Sequence, residues 1–355
     1  MFATNRKNAF ALSLILGLLF AAPVLAQNTK ENELKAAGVP VIWLDPGDVS
    51  KRDLRYGPGS PELAPAAPFT YVAEESTGES PKFRVTDARG ETWVVKLGVE
   101  AQAETVATRL VWSVGYFADE AYYLDRAEIK NLPTLTRGQN FVEGKNIVRG
   151  ARFEPKRKGI DRGANWDWEE NPFLKSRELD GLKVIMVLLA NYDNPLANNK
   201  ILTAQNPQGT LESRYVATDV GATFGKVGGM GSKRSKNSLA DYKENKFILG
   251  VENGFVKFDF ETKPKGMGKF ASFFKPSYGK SQAKKERAMK NITVENARWI
   301  GSMLSQLTDD QLRDAFRAAN YDAQTMEGFI NVIRERIEQL NRLNTGAPIA
   351  TSVSK

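Results

Sequence analysis

Residues 69–97 read FTYVAEESTGESPKFRVTDARGETWVVKL. Within them Phe69–Ser76, Lys82–Asp87 and Thr92–Leu97 are rich in β-branched and aromatic residues. The breaks, Thr77-Gly78-Glu79-Ser80-Pro81 and Ala88-Arg89-Gly90, carry turn formers, so the stretch predicts an antiparallel meander of three strands. Directly after it Val99, Ala103, Val106, Leu110, Val111 and Val114 recur at helical spacing before Gly115. That period predicts a helix, on which Glu100 and Glu104 lie four apart.

Working outward, the pattern divides the chain. Residues 27–68 hold Pro40, Pro46, Pro58, Pro61, Pro65 and Pro68 and read as an irregular arm around a domain. Residues 69–125 hold the meander and this helix and are expected to form a first unit. Residues 126–178, with Lys156-Arg157-Lys158 and Trp166, Trp168 and Phe173, read as a loop-rich insertion or hinge. Residues 179–343 are expected to form a second unit, in which Leu179–Ala190 reads as a buried helix. Two strands, Lys200–Ala204 and Arg214–Thr218, flank a turn at Asn206-Pro207-Gln208-Gly209. Three helices follow, signalled by Thr293, by Thr308 with Gln311, and by Thr325. Residues 344–355 read as a disordered tail.

The chain has 355 residues with neither cysteine nor histidine. Disulfides, thiolate or imidazole metal sites, cysteine nucleophiles and Ser-His-Asp chemistry are thereby excluded. Arg6 and Lys7, the apolar run Ala9–Leu25, and the small residues Val24 and Ala26 read as a cleavable secretion signal over 1–26. The expected protein is therefore exported, periplasmic or secreted in a bacterium, without a transmembrane anchor after cleavage. The net charge is +8, and residues 224–290 hold 16 Lys plus Arg against 6 Asp plus Glu. Such a segment suits an anionic partner (acidic protein, lipid headgroup or glycan), with nucleic acid not expected. A solvated basic loop would give the same counts.

Four features occur in order: a strand ending Val94-Val95-Lys96, a helix carrying Glu104, Asp193 followed five positions later by Asn198, and Asp219-Val220-Gly221 after a hairpin. Phosphoryl transfer needs such a set. A strand Lys holds nucleotide phosphates and a helix Glu orients it. One Asp serves the acceptor hydroxyl, while an Asn and a second Asp hold metal ions. Oxygen ligands suit Mg²⁺ or Mn²⁺.

On these residues, 69–225 resemble the protein-kinase-like superfamily, especially its atypical branches: phosphatidylinositol kinases, HipA-type bacterial kinases and secretory-pathway kinases. Lys82–Asp87 through Trp93–Lys96 is similar to their N-lobe strands, Asn191-Tyr192-Asp193 with Asn198-Asn199 to their catalytic loop, and Asp219-Val220-Gly221 to their metal-binding triplet. The resemblance implies an α+β, two-lobed protein-kinase-like fold, with a small antiparallel-sheet N-lobe and a mainly helical C-lobe. It implies that Lys96 binds phosphate and pairs with Glu104, Glu100 one turn earlier being the alternative. Asp193 would be the catalytic carboxylate, with Asn198 and Asp219 as metal ligands. The turn at Gly78 would cover the nucleotide, with Lys82 as a further phosphate contact. Pro195 stands where related loops carry a Lys, so Lys96, Lys200 or a basic side chain from 224–290 would replace its charge. The implied activity is transfer from ATP or another nucleotide, with Mg²⁺ or Mn²⁺, to a hydroxyl acceptor. The alternative is a non-catalytic, pseudokinase-type binder of a nucleotide or polyanion.

Overall fold

Residues 38–157, 161–193, 198–227, 234–260, 262 and 283–343 are described by a computed structural model. The expected signal at 1–26 and tail at 344–355 lie outside them. The chain enters through β1 (Val39–Val41) and the arm. It then forms β2 (Phe69–Glu75), β3 (Lys82–Thr86), β4 (Thr92–Leu97), α1 (Glu100–Ser113), β5 (Tyr122–Lys130), β6 (Val142–Glu143) and β7 (Ile147–Pro155). Phe83 and Val85 of β3 and Trp93 and Val95 of β4 are buried at alternate positions. With Phe69, Ile129, Val148 and Phe153 they make one apolar cluster. A period of two is what a strand with one inward face requires.

The meander does not end as an open sheet. β4 pairs with β3 on one side and β7 on the other, and β7 pairs with β5. β5 then returns to β2 through the parallel pairs Phe69↔Ile129 and Thr70↔Lys130. Five strands thus close into a barrel, which removes the free sheet edges. This corrects the two-lobed, protein-kinase-like expectation. Residues 126–178 were read as an insertion, yet they supply most of β5 and all of β7. Pairing between positions as distant as Trp93 and Pro155 has no local signature.

The second half is not the mainly helical lobe expected either. It contains β8 (Asp161–Asn165), α2 (Arg177–Leu188), β9 (Asn199–Gln205) and β10 (Leu211–Ala217), with β1 completing a sheet in the order β1-β10-β9-β8. After α3 (Leu239–Glu244), β11 (Ile248–Glu252) and β12 (Phe255–Phe258) add a hairpin. Then come α4 (Val294–Leu304), α5 (Asp309–Arg317) and α6 (Ala323–Arg342). The capping box at Thr308 and Gln311 is present. α6 is capped by Asp322, which accepts the N–H of Thr325.

α1 lies between the two halves and is buried on nearly every side. Its Val106 and Leu110 share one apolar cluster with Leu182 and Ile185 of α2, Phe316 of α5 and Phe329 of α6. The arm is tied down by its backbone: Gln311 donates to Val49 O and Arg52 O, and Arg109 to Arg55 O. Trp166 is buried and donates to Val216 O at 3.0 Å. Among the described residues no helix is long and apolar enough to cross a membrane.

Candidate functional site

Register across the barrel builds a row of three cations. Lys96 of β4 stands opposite Lys82 of β3 and Arg152 of β7. Like charges directly across a ladder repel, and α1 answers by laying two carboxylates over the row. Lys96 Nζ donates to Glu100 at 2.9 Å, Glu104 at 2.8 Å and Asp219 at 2.6 Å. Arg152 ion-pairs with Glu104 at 3.2 Å and with Glu154 at 2.7 Å. Lys96 alternates with the barrel-facing Val95 and Leu97, so it points outward and is buried only because α1 covers it.

Both glutamates left open by the sequence therefore contact Lys96, in different settings. Glu104, 1% exposed, is enclosed between Lys96 and Arg152. Glu100 faces a cleft, where it also accepts from Ser80 Oγ at 2.7 Å and from Lys236. Burial favours neutral Lys96, but the Glu104, Asp219 and Glu100 carboxylates outweigh it and hold its pKa well above the ordinary lysine value. Burial likewise disfavours ionised Glu100, yet Lys96, Lys236 and Ser80 pull its carboxyl down to about 2.

The sign of that shift has a consequence. In the unfolded chain Glu100 titrates near 4.5, so as acid is added the unfolded state takes up this proton first. The stabilisation from Glu100 is complete above about pH 4.5, shrinks as pH falls and is lost near pH 2. Urea midpoints should drop through this window, and Glu100→Gln should flatten the drop. An unchanged acid limb in that variant would place the sensitivity on other groups.

The remaining predicted residues arrive on two loops. α2, capped by Ser176, ends at Leu188 with Leu189 as its C-cap, and Ala190 at φ 53° turns the chain out of it. Asn191 Oδ1 then accepts the Asp193 N–H at 3.0 Å, fixing the loop before residues 194–197, which with Pro195 lie outside the described residues. The β9–β10 hairpin sets Asn199 opposite Ala217. One step further, Thr218 donates to Asn198 O from its N–H at 2.6 Å and its hydroxyl at 3.0 Å. Asn198 and Asp219 are thus brought together by the turn at 206–209. Asp219 adopts φ 52°, a left-handed conformation that Asp tolerates, as the chain leaves the strand. Two residues on, a Cβ at Gly221 would lie 3.0 Å from Glu100 Cβ and 3.1 Å from Glu104 Oε2, so a larger residue would fit only if these glutamates shifted by a few tenths of an ångström.

One cleft of about 170 Å³ gathers Gly78, Lys82, Lys96, Asp193, Asn198 and Asp219. Glu100 forms its wall and Glu104 stands behind Lys96. A larger cleft of about 520 Å³, where β2 meets β5, contains none of them. Glu100, Glu104 and Asp219 offer oxygens within 4.8 Å of one another. Asn198 Nδ2 donates to Asp193 O at 3.2 Å, which leaves its amide oxygen for a cation. Such an oxygen set fits Mg²⁺ or Mn²⁺.

Four contributors escaped the sequence reading: Ser80, Arg152, Lys236 and Lys285. Arg152 alone carried a signal, a charged residue among buried positions of β7. Lys285 lies on a short helix at 283–288 and pairs with Asp193 at 2.9 Å. Of the three replacements considered for the missing loop Lys, this one from the basic segment reaches Asp193, whereas Lys200 donates to Asn165. The short helix is held to the 167–169 turn by Lys284 with Asp167 and Arg287 with Glu169. Other basic residues of 224–290 are also engaged, Lys226 with Asp241 and Glu244 and Lys257 with Glu252. No protein-family model, curated protein or solved structure matches the chain.

Proposed function

We propose that this cleft transfers a phosphoryl group from a nucleotide, such as ATP, to a hydroxyl acceptor. The observation that carries the reading is the meeting of Lys96, Asp193, Asn198 and Asp219, drawn from three separate stretches of the chain, in one polar cleft. Lys96, oriented by Glu104, would contact the donor phosphates, with Lys82 beside it and the Gly78 turn above. Asn198 and Asp219, next to Glu100, would hold Mg²⁺ or Mn²⁺, whose charge offsets that of the phosphates. Asp193 would orient the acceptor hydroxyl and receive its proton. The acceptor oxygen bonds to the terminal phosphorus as the bond from that phosphorus to the bridging oxygen breaks, and nucleoside diphosphate leaves. Lys285 would place positive charge on the acceptor side. An exported location and an anionic acceptor belong to the same proposal and rest on residues 1–26 and 224–290.

Asp193→Asn is expected to keep nucleotide affinity within a few-fold and to lower transfer by about 10²–10⁴-fold, the usual contribution of a positioned acid–base group. Calorimetry with ATP and Mn²⁺, run beside a labelled-phosphate transfer assay, reads both. Equal loss of binding and transfer would move Asp193 into the metal shell. A second reading, a non-catalytic binder of nucleotide or polyanion, is favoured by one feature: Asp219 and Asp193 are both already paired, with Lys96 and Lys285. Binding without transfer to any protein, lipid or glycan of an envelope extract would support it.

A further inference from the structure

The lining of the cleft bears on which donors it can distinguish. Among its described residues only Gly78 and Ala222 lack a polar side chain, and none is aromatic. Sites that read a nucleobase or another flat organic group offer an apolar or aromatic shelf and occupy roughly 300–1,000 Å³. This cleft is smaller, about 170 Å³, and has room for phosphates rather than for a base and a sugar.

Its cations are arranged accordingly. In the row of Lys82, Lys96 and Arg152 the last two are matched by carboxylates. Lys82 is half-buried and its side chain has no hydrogen bond or ion pair among the described residues. It reaches back to the Gly78 turn, where a Cβ would lie 3.1 Å from its Nζ. On the far wall Lys236 is shared between Glu100 and, at 3.6 Å, Glu79. A half-buried cation left uncompensated beside two other lysines is a site for a multiply charged anion.

We infer that the cleft recognises its donor through the polyphosphate alone, so that it accepts nucleoside triphosphates regardless of base and also inorganic tripolyphosphate. This rests on the phosphotransfer reading and narrows it. With tripolyphosphate the same bond change applies: the acceptor oxygen bonds to a terminal phosphorus, pyrophosphate leaves in place of nucleoside diphosphate, and the hydroxyl proton passes to Asp193.

The test is calorimetric titration of the full-length chain with ATP, GTP, UTP and sodium tripolyphosphate, each with Mn²⁺. Dissociation constants within about tenfold of one another are expected. Lys82→Gln should weaken all four by a similar factor of about 10, as for loss of one charge-assisted hydrogen bond. That variant also removes a like-charge pair opposite Lys96, so its melting temperature should not fall. ATP binding more than about 100-fold tighter than the other three would overturn the inference and leave the phosphotransfer reading standing. So would a Lys82→Gln effect confined to ATP. Binding of none of the four would overturn both.

Discussion

Glu104→Ala is expected to destabilise the fold by about 3–5 kcal/mol, the usual penalty for removing one partner of a buried ion pair. Glu104 is 1% exposed and touches both Lys96 and Arg152, which stand side by side across β4 and β7. Without it, Lys96 keeps its ion pairs with Glu100 and Asp219, and Arg152 keeps Glu154 with Asp119 nearby, but the carboxylate shared by the two cations is gone. Neither cation can escape to water, because α1 is packed over both. Urea unfolding should show a lower midpoint at unchanged slope. Arg152→Met alone should also destabilise, yet the loss in the double variant should be smaller than the sum of the two single losses, because the Glu104–Arg152 pair is then removed as a whole. A Glu104→Ala cost below about 1 kcal/mol would mean that the cluster does not hold α1 to the barrel.

Asp219→Asn is expected to separate two kinds of nucleotide binding. Asp219 now pairs with Lys96, so in the absence of metal a donor phosphate must compete with this carboxylate for the ammonium. On the proposed phosphotransfer reading, Asp219 would hold the divalent cation instead of Lys96, which would leave Lys96 for the donor phosphates. Metal-dependent affinity for ATP should therefore fall by at least about 100-fold in the variant, since a direct ligand matters at least as much as its outer-shell supports. Metal-free affinity should instead rise by about 3–10-fold, because Lys96 loses a competing anion at close range. Titrations with Mn²⁺ and with a chelator read the two limits. If both affinities fell together, Asp219 would be needed to shape the cleft rather than to gate it by charge.

Several parts of this arrangement are legible in the amino-acid sequence itself. Lys96, Glu100 and Glu104 sit within one strand and the helix beside it, so a turn of helix suffices to bring both carboxylates to the lysine. The two strands flanking the turn at 206–209 were legible too, and their pairing sets Thr218 on Asn198, which brings Asp219, the next residue, to the same end of the hairpin. Lys285 had no such signal. It lies far from Asp193 in the chain, and its basic neighbours gave no reason to single it out. The same limit explains the misread barrel: Phe69↔Ile129 and Trp93↔Pro155 are long-range pairs whose strands look, one at a time, like strands of an open sheet.

Short-range periodicity and turn chemistry thus determined the three-stranded meander, helix α1, the β9–β10 hairpin and the placing of Glu100 and Glu104 near Lys96, because each depends on residues only a few positions apart. Closure of the barrel, the choice of Glu104 as the enclosed partner and Glu100 as the cleft-facing one, and the pairing of Asp193 with Lys285 were settled by packing between distant segments. Burial decides them, since it is the cover of α1 over β4 and β7 that makes Lys96 and Arg152 require these carboxylates in these places.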